Sequence, residues 1–336
     1  MHERLVDRVV ETSSQVGMQL SLNDRENQQI TTPQFFAKLR LEPNWFVDIE
    51  HAQAQLVNLE NSNFSNRVVQ IEATGTGIRR IDKNYQWGVM LYEHQRLAKW
   101  QSVQANLTVN LSKDLQVNQQ LSYLMPSIDN TVLNLAARES QLQFGLTYQL
   151  TARERIRLSA GFADYQTQLK EHLGSGIKLD WELVHQLFYS APDWNLRLSG
   201  AHRRYQLDNN RLIQDNTMLV FANPSNVINR AESFMPSDND LYSACFGWGQ
   251  RYAQRPTLDG QPPSSLVYTR SLRSIAELCV THNSSANVLG HNALLGLRGT
   301  VDGEDQWMAL YQESNGGLQL PNQTLRSVNL QYQRLF

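Results

Sequence analysis

Apolar and polar residues alternate one by one along most of the chain. Period-two runs of roughly eight to twelve residues recur from about Gln15 to Phe336, and helical periodicity is almost absent. The segment 102–111 puts Val103, Ala105, Leu107, Val109 and Leu111 on one face and Ser102, Gln104, Asn106, Thr108 and Asn110 on the other. The segment 141–150 repeats the arrangement, with Leu142, Phe144, Leu146, Tyr148 and Leu150 set against Gln141, Gln143, Gly145, Thr147 and Gln149. Successive side chains of a strand point to opposite faces, so each run has one apolar and one polar side. Repeated this many times, the pattern predicts an all-β, transmembrane antiparallel β-barrel with apolar residues outward and polar residues inward.

About sixteen strands are expected, starting near Gln15, Gln34, Trp45, Arg67, Tyr85, Gln101, Leu115, Glu139, Arg155, Gly174, Trp194, Asp240, Ser271, Gly290, Gln306 and Leu325. Tight turns at 42–44, 112–114, 151–154, 191–193 and 302–305 follow even-numbered strands, and the connections between them are mostly longer and polar. Outer-membrane barrels have short periplasmic turns and longer outer loops, so both termini are expected in the periplasm. Two connections strain this scheme: 252–270 is long for a periplasmic turn, and 208–239 is long even for an outer loop. The latter could fold into the bore, cap it, or simply be a solvated loop.

Aromatic residues offer an independent check. Trp45, Trp194 and Trp307 directly follow tight turns, and Trp87 and Trp248 fall near the same strand ends, as an interfacial girdle requires. The last segment places Val328, Leu330, Tyr332 and Phe336 on one face and ends on that phenylalanine, resembling the C-terminal assembly signal of outer-membrane barrels. Arg334 interrupts the face, where a long cationic side chain can snorkel to an interface.

Composition fits this architecture. The 336 residues are 41% hydrophobic with a mean hydropathy of -0.47, because a barrel shows lipid only every second residue of each strand. No run approaches the length of a membrane helix, so any span must be β. A net charge of -2 without a basic stripe leaves nucleic acid no electrostatic footprint. Cys245 and Cys279 match no zinc pattern; both are expected on the inward face of neighbouring strands, and whether they pair is left open. The first residues are too charged for a signal peptide, and 3–12 look helical, so residues 1–14 are expected to be a linker or the end of a preceding scaffold, with the barrel at 15–336.

Catalytic signatures are missing: there is no nucleophile elbow, metalloprotease motif, phosphate loop or dinucleotide fingerprint. The histidines at 2, 51, 94, 172, 185, 202, 282 and 291 have no metal spacing and are expected in loops or on the bore wall, and no catalytic residue, metal or cofactor is expected. The inward face carries more information. Candidate pore-lining residues are Lys38, Arg40, Asp48, Glu50, Glu72, Asp180, Glu182, Arg197, Arg203, Glu277 and Arg298, with Arg157 and Lys178 beside them. They could form salt bridges across the wall. Alternatively, Asp48, Glu50 and Glu72, with Asp180 and Glu182, could form an acidic track for a cationic solute.

The segments 150–161, 192–200 and 296–314 resemble the C-terminal porin domain of PelB-type exporters of Pel exopolysaccharide. The resemblance implies a sixteen-stranded barrel of the bacterial outer membrane, preceded by periplasmic tetratricopeptide repeats, with no enzymatic activity. It implies a partly de-N-acetylated, hence cationic, galactosamine-containing polymer as cargo in biofilm formation. Among partners it implies a ring of a small outer-membrane lipoprotein, a periplasmic polysaccharide-modifying enzyme reached through the repeat region, and membrane lipids. Export porins for poly-N-acetylglucosamine or cellulose are neighbouring alternatives. A plugged barrel serving as an anchor or assembly platform, and an outer-membrane hydrolase with a triad assembled across strands, are readings from other classes.

Overall fold

The computed structural model describes residues 13–25, 28–58, 68–96, 98–127, 129, 133–134, 137–188, 193–208, 213, 231–233, 235–249, 272–302, 305–315 and 324–336. The expected segment 3–12, the connection 252–270 and most of 208–239 lie outside them. The strands are β1 (Gln15–Arg25), β2 (Gln28–Glu42), β3 (Trp45–Asn58), β4 (Val68–Ile81), β5 (Tyr85–Gln95), β6 (Lys99–Asn110), β7 (Leu115–Pro126) and β8 (Ala137–Gln149). They continue as β9 (Glu154–Thr167), β10 (His172–Phe188), β11 (Trp194–Leu207), β12 (Asn239–Trp248), β13 (Arg273–Asn283), β14 (Val288–Gly299), β15 (Asp305–Ser314) and β16 (Leu325–Leu335). Each pairs antiparallel with its sequence neighbours, and β1 pairs with β16, closing the barrel and leaving no open sheet edge.

Most strands start within two residues of the expected position. The exception is β2, which begins at Gln28, six residues before Gln34. Pro33 sits inside it; the ladder to β1 includes Leu20 opposite Pro33, while the ladder to β3 lapses at Thr32 and Pro33. A proline cannot donate to a ladder, so it reads in sequence as a strand limit. The start of β1, the end of β16 and the tight turns share one end. The other end is more mixed than expected, because 168–171 and 284–287 are short connections there.

The outward face carries an apolar band, with Ile49, Leu91, Leu121, Leu158, Phe162, Leu179, Leu198, Leu278 and Leu295 all exposed. At the tight-turn end the outward tryptophans pair: Trp45 meets Trp87 edge-on at 5.5 Å, and Trp194 stacks on Trp248 at 5.4 Å. Arg80 lies over Trp45, and its Nε reaches Asp82 at 2.7 Å. Asp82, in the turn after β4, is held below the usual carboxylate range by hydrogen bonds with Tyr85 first, then Arg80 and Asn44. In β16, Arg334 leaves the apolar band by pairing with Asp302 of the β14–β15 turn at 3.6 Å.

Toward the other end the pattern inverts on β3 and β4. Gln53, Gln55, Gln70 and Glu72 face out, while Ala54, Leu56 and Ile71 face in and form a buried cluster with Ile30. These strand ends therefore run past the lipid band, where the outer surface meets water. Leu158 and Gln53 test the boundary. Leu158→Arg is expected to destabilise the protein by about 2–4 kcal/mol, the cost of an arginine on the lipid face. Gln53→Arg should stay within about 0.5 kcal/mol of the parent, as surface changes do. Urea unfolding from lipid vesicles measures both, and equal losses would remove the boundary from between them.

Candidate functional site

The register assigns every inward residue, because one-residue alternation is unbroken across each ladder apart from local bulges. Lys38 faces Asp48 across β2 and β3, and Glu50 lies two residues further along the same face. Lys178, Asp180 and Glu182 of β10 face Arg203, Ala201 and Ser199 of β11. Arg197 faces Cys245, Cys245 faces Cys279, and Arg273 faces Arg298. Lys38, Arg40, Asp48, Glu50, Arg157, Lys178, Asp180, Glu182, Arg197, Arg203, Glu277 and Arg298 all lie on the interior face, with Arg40 exposed at the tight-turn mouth.

Glu72 does not. It pairs with Gln53 in register, on the face opposite Asp48 and Glu50, and its carboxylate lies 3.9 Å from His51 on the outer surface. The acidic group expected on β3 and β4 is therefore split between the two sides of the wall. The cause is the inversion on β4, where Ala73, Gly75 and Gly77 face the bore and polar residues face out. The histidines also differ from expectation. His51, His172, His185, His202, His282 and His291 are on the outward face, His51 and His202 within their strands and the others nearer the ends, several of them against carboxylates, as in His172 between Asp164 (2.7 Å) and Asp208 (2.9 Å). His94 alone among the described histidines faces inward, buried against Ser102 at 2.7 Å.

Most inward carboxylates are paired with inward cations. Lys178 Nζ bridges Glu139 at 2.6 Å and Asp129 at 2.9 Å, and Tyr165 donates to Asp129. Arg203 pairs with Asp180 at 2.7 Å, and Arg79 with Asp48 at 2.9 Å. Arg197 holds Glu277 at 2.5 Å and lies 3.7 Å from Glu182, which Arg157 approaches at 3.8 Å. Tyr92 donates to Glu50 at 3.4 Å. Both readings of the charges thus meet in one wall, and the pairing dominates. On the described strands, Lys38, Arg40, Arg79, Arg155, Arg157, Lys178, Arg197, Arg203, Arg273 and Arg298 outnumber Asp48, Glu50, Glu139, Asp180, Glu182 and Glu277. A uniformly acidic bore is absent from the described wall.

Sequence reasoning missed Arg79, Glu139, Arg155, Arg273 and Asp129. The first was hidden by the β4 inversion. Glu139 shares the inward face of Gln141 and Gln143 along an unbroken β8, but it stands at the expected start of that strand, where the alternation has only just begun. Asp129 is in a connection without periodicity.

Cys245 and Cys279 form a disulfide, with Cα atoms 4.0 Å apart. Their sulfurs and Glu277 lie within 4.8 Å of one another, but the sulfurs are bonded to each other and Arg197 donates to Cys245 Sγ at 3.1 Å and to Glu277. A cation would have to displace that guanidinium.

At the end away from the tight turns, connection residues fold inside. Leu133 from the β7–β8 connection, with Ile213, Ala231 and Met235 from β11–β12, are buried against inward Ala163, Tyr165 and Leu173. Elsewhere the wall is amide-rich. Gln104, Asn106 and Thr108 of β6 face Ser122, Gln120 and Asn118 of β7, which in turn face Gln141, Gln143 and Gly145 of β8.

A closed sixteen-stranded sheet with an outward apolar band, a tryptophan girdle and a polar, charge-paired interior defines an integral β-barrel of the bacterial outer membrane. The chain belongs to the family described as PelB, C-terminal beta barrel domain, whose model matches residues 10–335. No curated protein matches it by sequence. Among solved structures, it is similar to a bacterial polysaccharide outer membrane secretin, at 11% identity and a TM-score of 0.68, over 97% of this chain and 99% of that one. Pseudomonas aeruginosa OccK5 (OpdH) aligns at 7% identity and a TM-score of 0.47, over 98% of this chain and 99% of that one.

Proposed function

We propose that this barrel is the outer-membrane pore through which an exopolysaccharide passes from the periplasm to the cell surface, with the tight-turn end and both termini in the periplasm. The observation that carries the reading is membership of the PelB barrel family, supported by an interior lined with hydrogen-bonding side chains. Such a wall exchanges water contacts for sugar contacts one at a time, so a polymer meets no deep trap. The reading requires no catalytic residue; the driving force comes from synthesis elsewhere.

The cargo we assign is a Pel-like, partly de-N-acetylated galactosamine polymer. Glu50, on the inward face of β3, offers a carboxylate to its amines. A lipoprotein ring beneath the barrel and a periplasmic modifying enzyme, reached through a preceding repeat region, complete the proposed export route. The burial of Leu133, Ile213, Ala231 and Met235 inside the bore favours a second reading, a plugged barrel that anchors other components.

Planar-bilayer conductance separates the two readings. The purified chain, and a variant lacking 208–239, are measured with and without galactosamine oligosaccharides. We expect the deletion to raise conductance, and the oligosaccharides to block it. Silence from both forms would reject the pore and favour the anchor.

A further inference from the structure

We infer that the amide-rich wall of β6, β7 and β8, rather than the charged wall beside it, is the saccharide-binding track of the bore, and that it takes the uncharged hydroxyl and acetamido face of the polymer. The inference rests on the pore reading above. Its first ground is the contrast in hydrogen bonding. Lys178, Arg197, Arg203 and Arg79 are each engaged with carboxylates at 2.5–2.9 Å. By contrast, the side chains of Gln104, Asn106, Asn118, Gln141 and Gln143 make no hydrogen bond or ion pair among the described residues, and Gln120 makes one, to Ser122 of its own strand at 3.3 Å. Asn106 and Asn118 are exposed within the bore.

The second ground is the floor beneath these amides. A Cβ built on Gly145 would lie 2.1 Å from the Asn118 side-chain oxygen, and one on Gly88 would lie 3.0 Å from that of Asn106. Asn118 therefore lies flat over Gly145, in space a side chain there would take, and Asn106 lies close over Gly88. The ladder repeats inward positions every second residue, about 6.8 Å apart along each strand and about 4.8 Å between strands. The result is a level lattice of donors and acceptors, in which Gln104, Asn106, Asn118, Gln141 and Gln143 can take a sugar group and release it. Amides are neutral, so no single contact is strong enough to hold the chain in place.

Isothermal titration of the barrel in detergent with neutral N-acetylgalactosamine oligomers, and with their de-N-acetylated counterparts, tests this. N106L/Q120M/Q143M keeps side-chain bulk and removes the hydrogen bonds; it is expected to raise the dissociation constant of the neutral oligomer roughly tenfold, the loss of a few neutral hydrogen bonds. Gly145→Ala removes no hydrogen-bonding group but pushes Asn118 off its floor, and a several-fold rise is expected there also. Equal affinities in wild type and both variants would overturn the track while leaving the pore standing. Wild-type affinity for the cationic oligomer alone would assign binding to the charged wall and overturn it as well. If neither oligomer binds and the conductance steps are also unblocked, the pore reading falls along with this one.

Discussion

Lys178→Met is expected to destabilise the barrel by about 3–5 kcal/mol, the cost of removing one partner from a buried ion pair. Lys178 is 7% exposed at its side chain, and its two partners, Glu139 and Asp129, are 5% and 9% exposed. Methionine fills much of the same space, so the loss is electrostatic: two carboxylates stay buried without their common cation. The attraction of the three groups was never the source of the stability; the penalty arises from leaving charge uncompensated. Adding Glu139→Gln to the same chain should therefore recover part of the loss, because one of the stranded charges is gone and Asp129 keeps its contact with Tyr165. Urea unfolding of the folded barrel, followed by its heat-modifiable gel mobility, gives both numbers. A loss below about 1 kcal/mol for Lys178→Met would place the triad in solvent rather than in a buried wall.

The same cluster shows what the sequence could and could not convey. Alternation placed Lys178 on the inward face, since Ile177 and Leu179 flank it with apolar side chains and only one phase satisfies both. Its partner Asp129 lies in a connection, where position along the chain carries no facing information, so the pair itself was illegible. Glu72 illustrates the opposite problem. Its phase was read on the assumption that polar means inward, a rule that holds only inside the lipid band. Above the band the outer face is wet, Gln53 and Glu72 turn outward, and the assumption fails in register with the structure. His51, beside Gln53 and Glu72 on the outer face of β3 and β4, follows the same logic. Cys245 and Cys279 were assignable to one face and to adjacent strands, but the alignment that puts them directly opposite depends on the ladder register, which alternation leaves undetermined by steps of two.

C245S/C279S is expected to lower stability by about 3–4 kcal/mol, on a chain-entropy estimate for a bridge closing 34 residues. The native wall should change little. Cys245 and Cys279 already oppose each other in the β12–β13 ladder, and Arg197, 2.5 Å from Glu277, does not depend on the sulfurs for that partner. The loss is therefore assigned to the unfolded chain, which gains the freedom the bridge removes. That assignment has a distinguishing consequence. In the oxidised protein the urea midpoint should exceed that of the variant, while a dithiol reductant present throughout unfolding should bring the wild type down to the variant and leave the variant where it was. If the oxidised wild type and the variant share one midpoint, the bridge adds nothing beyond the hydrogen-bonded ladder. The charged wall around Arg197 would then hold β12 and β13 together without it.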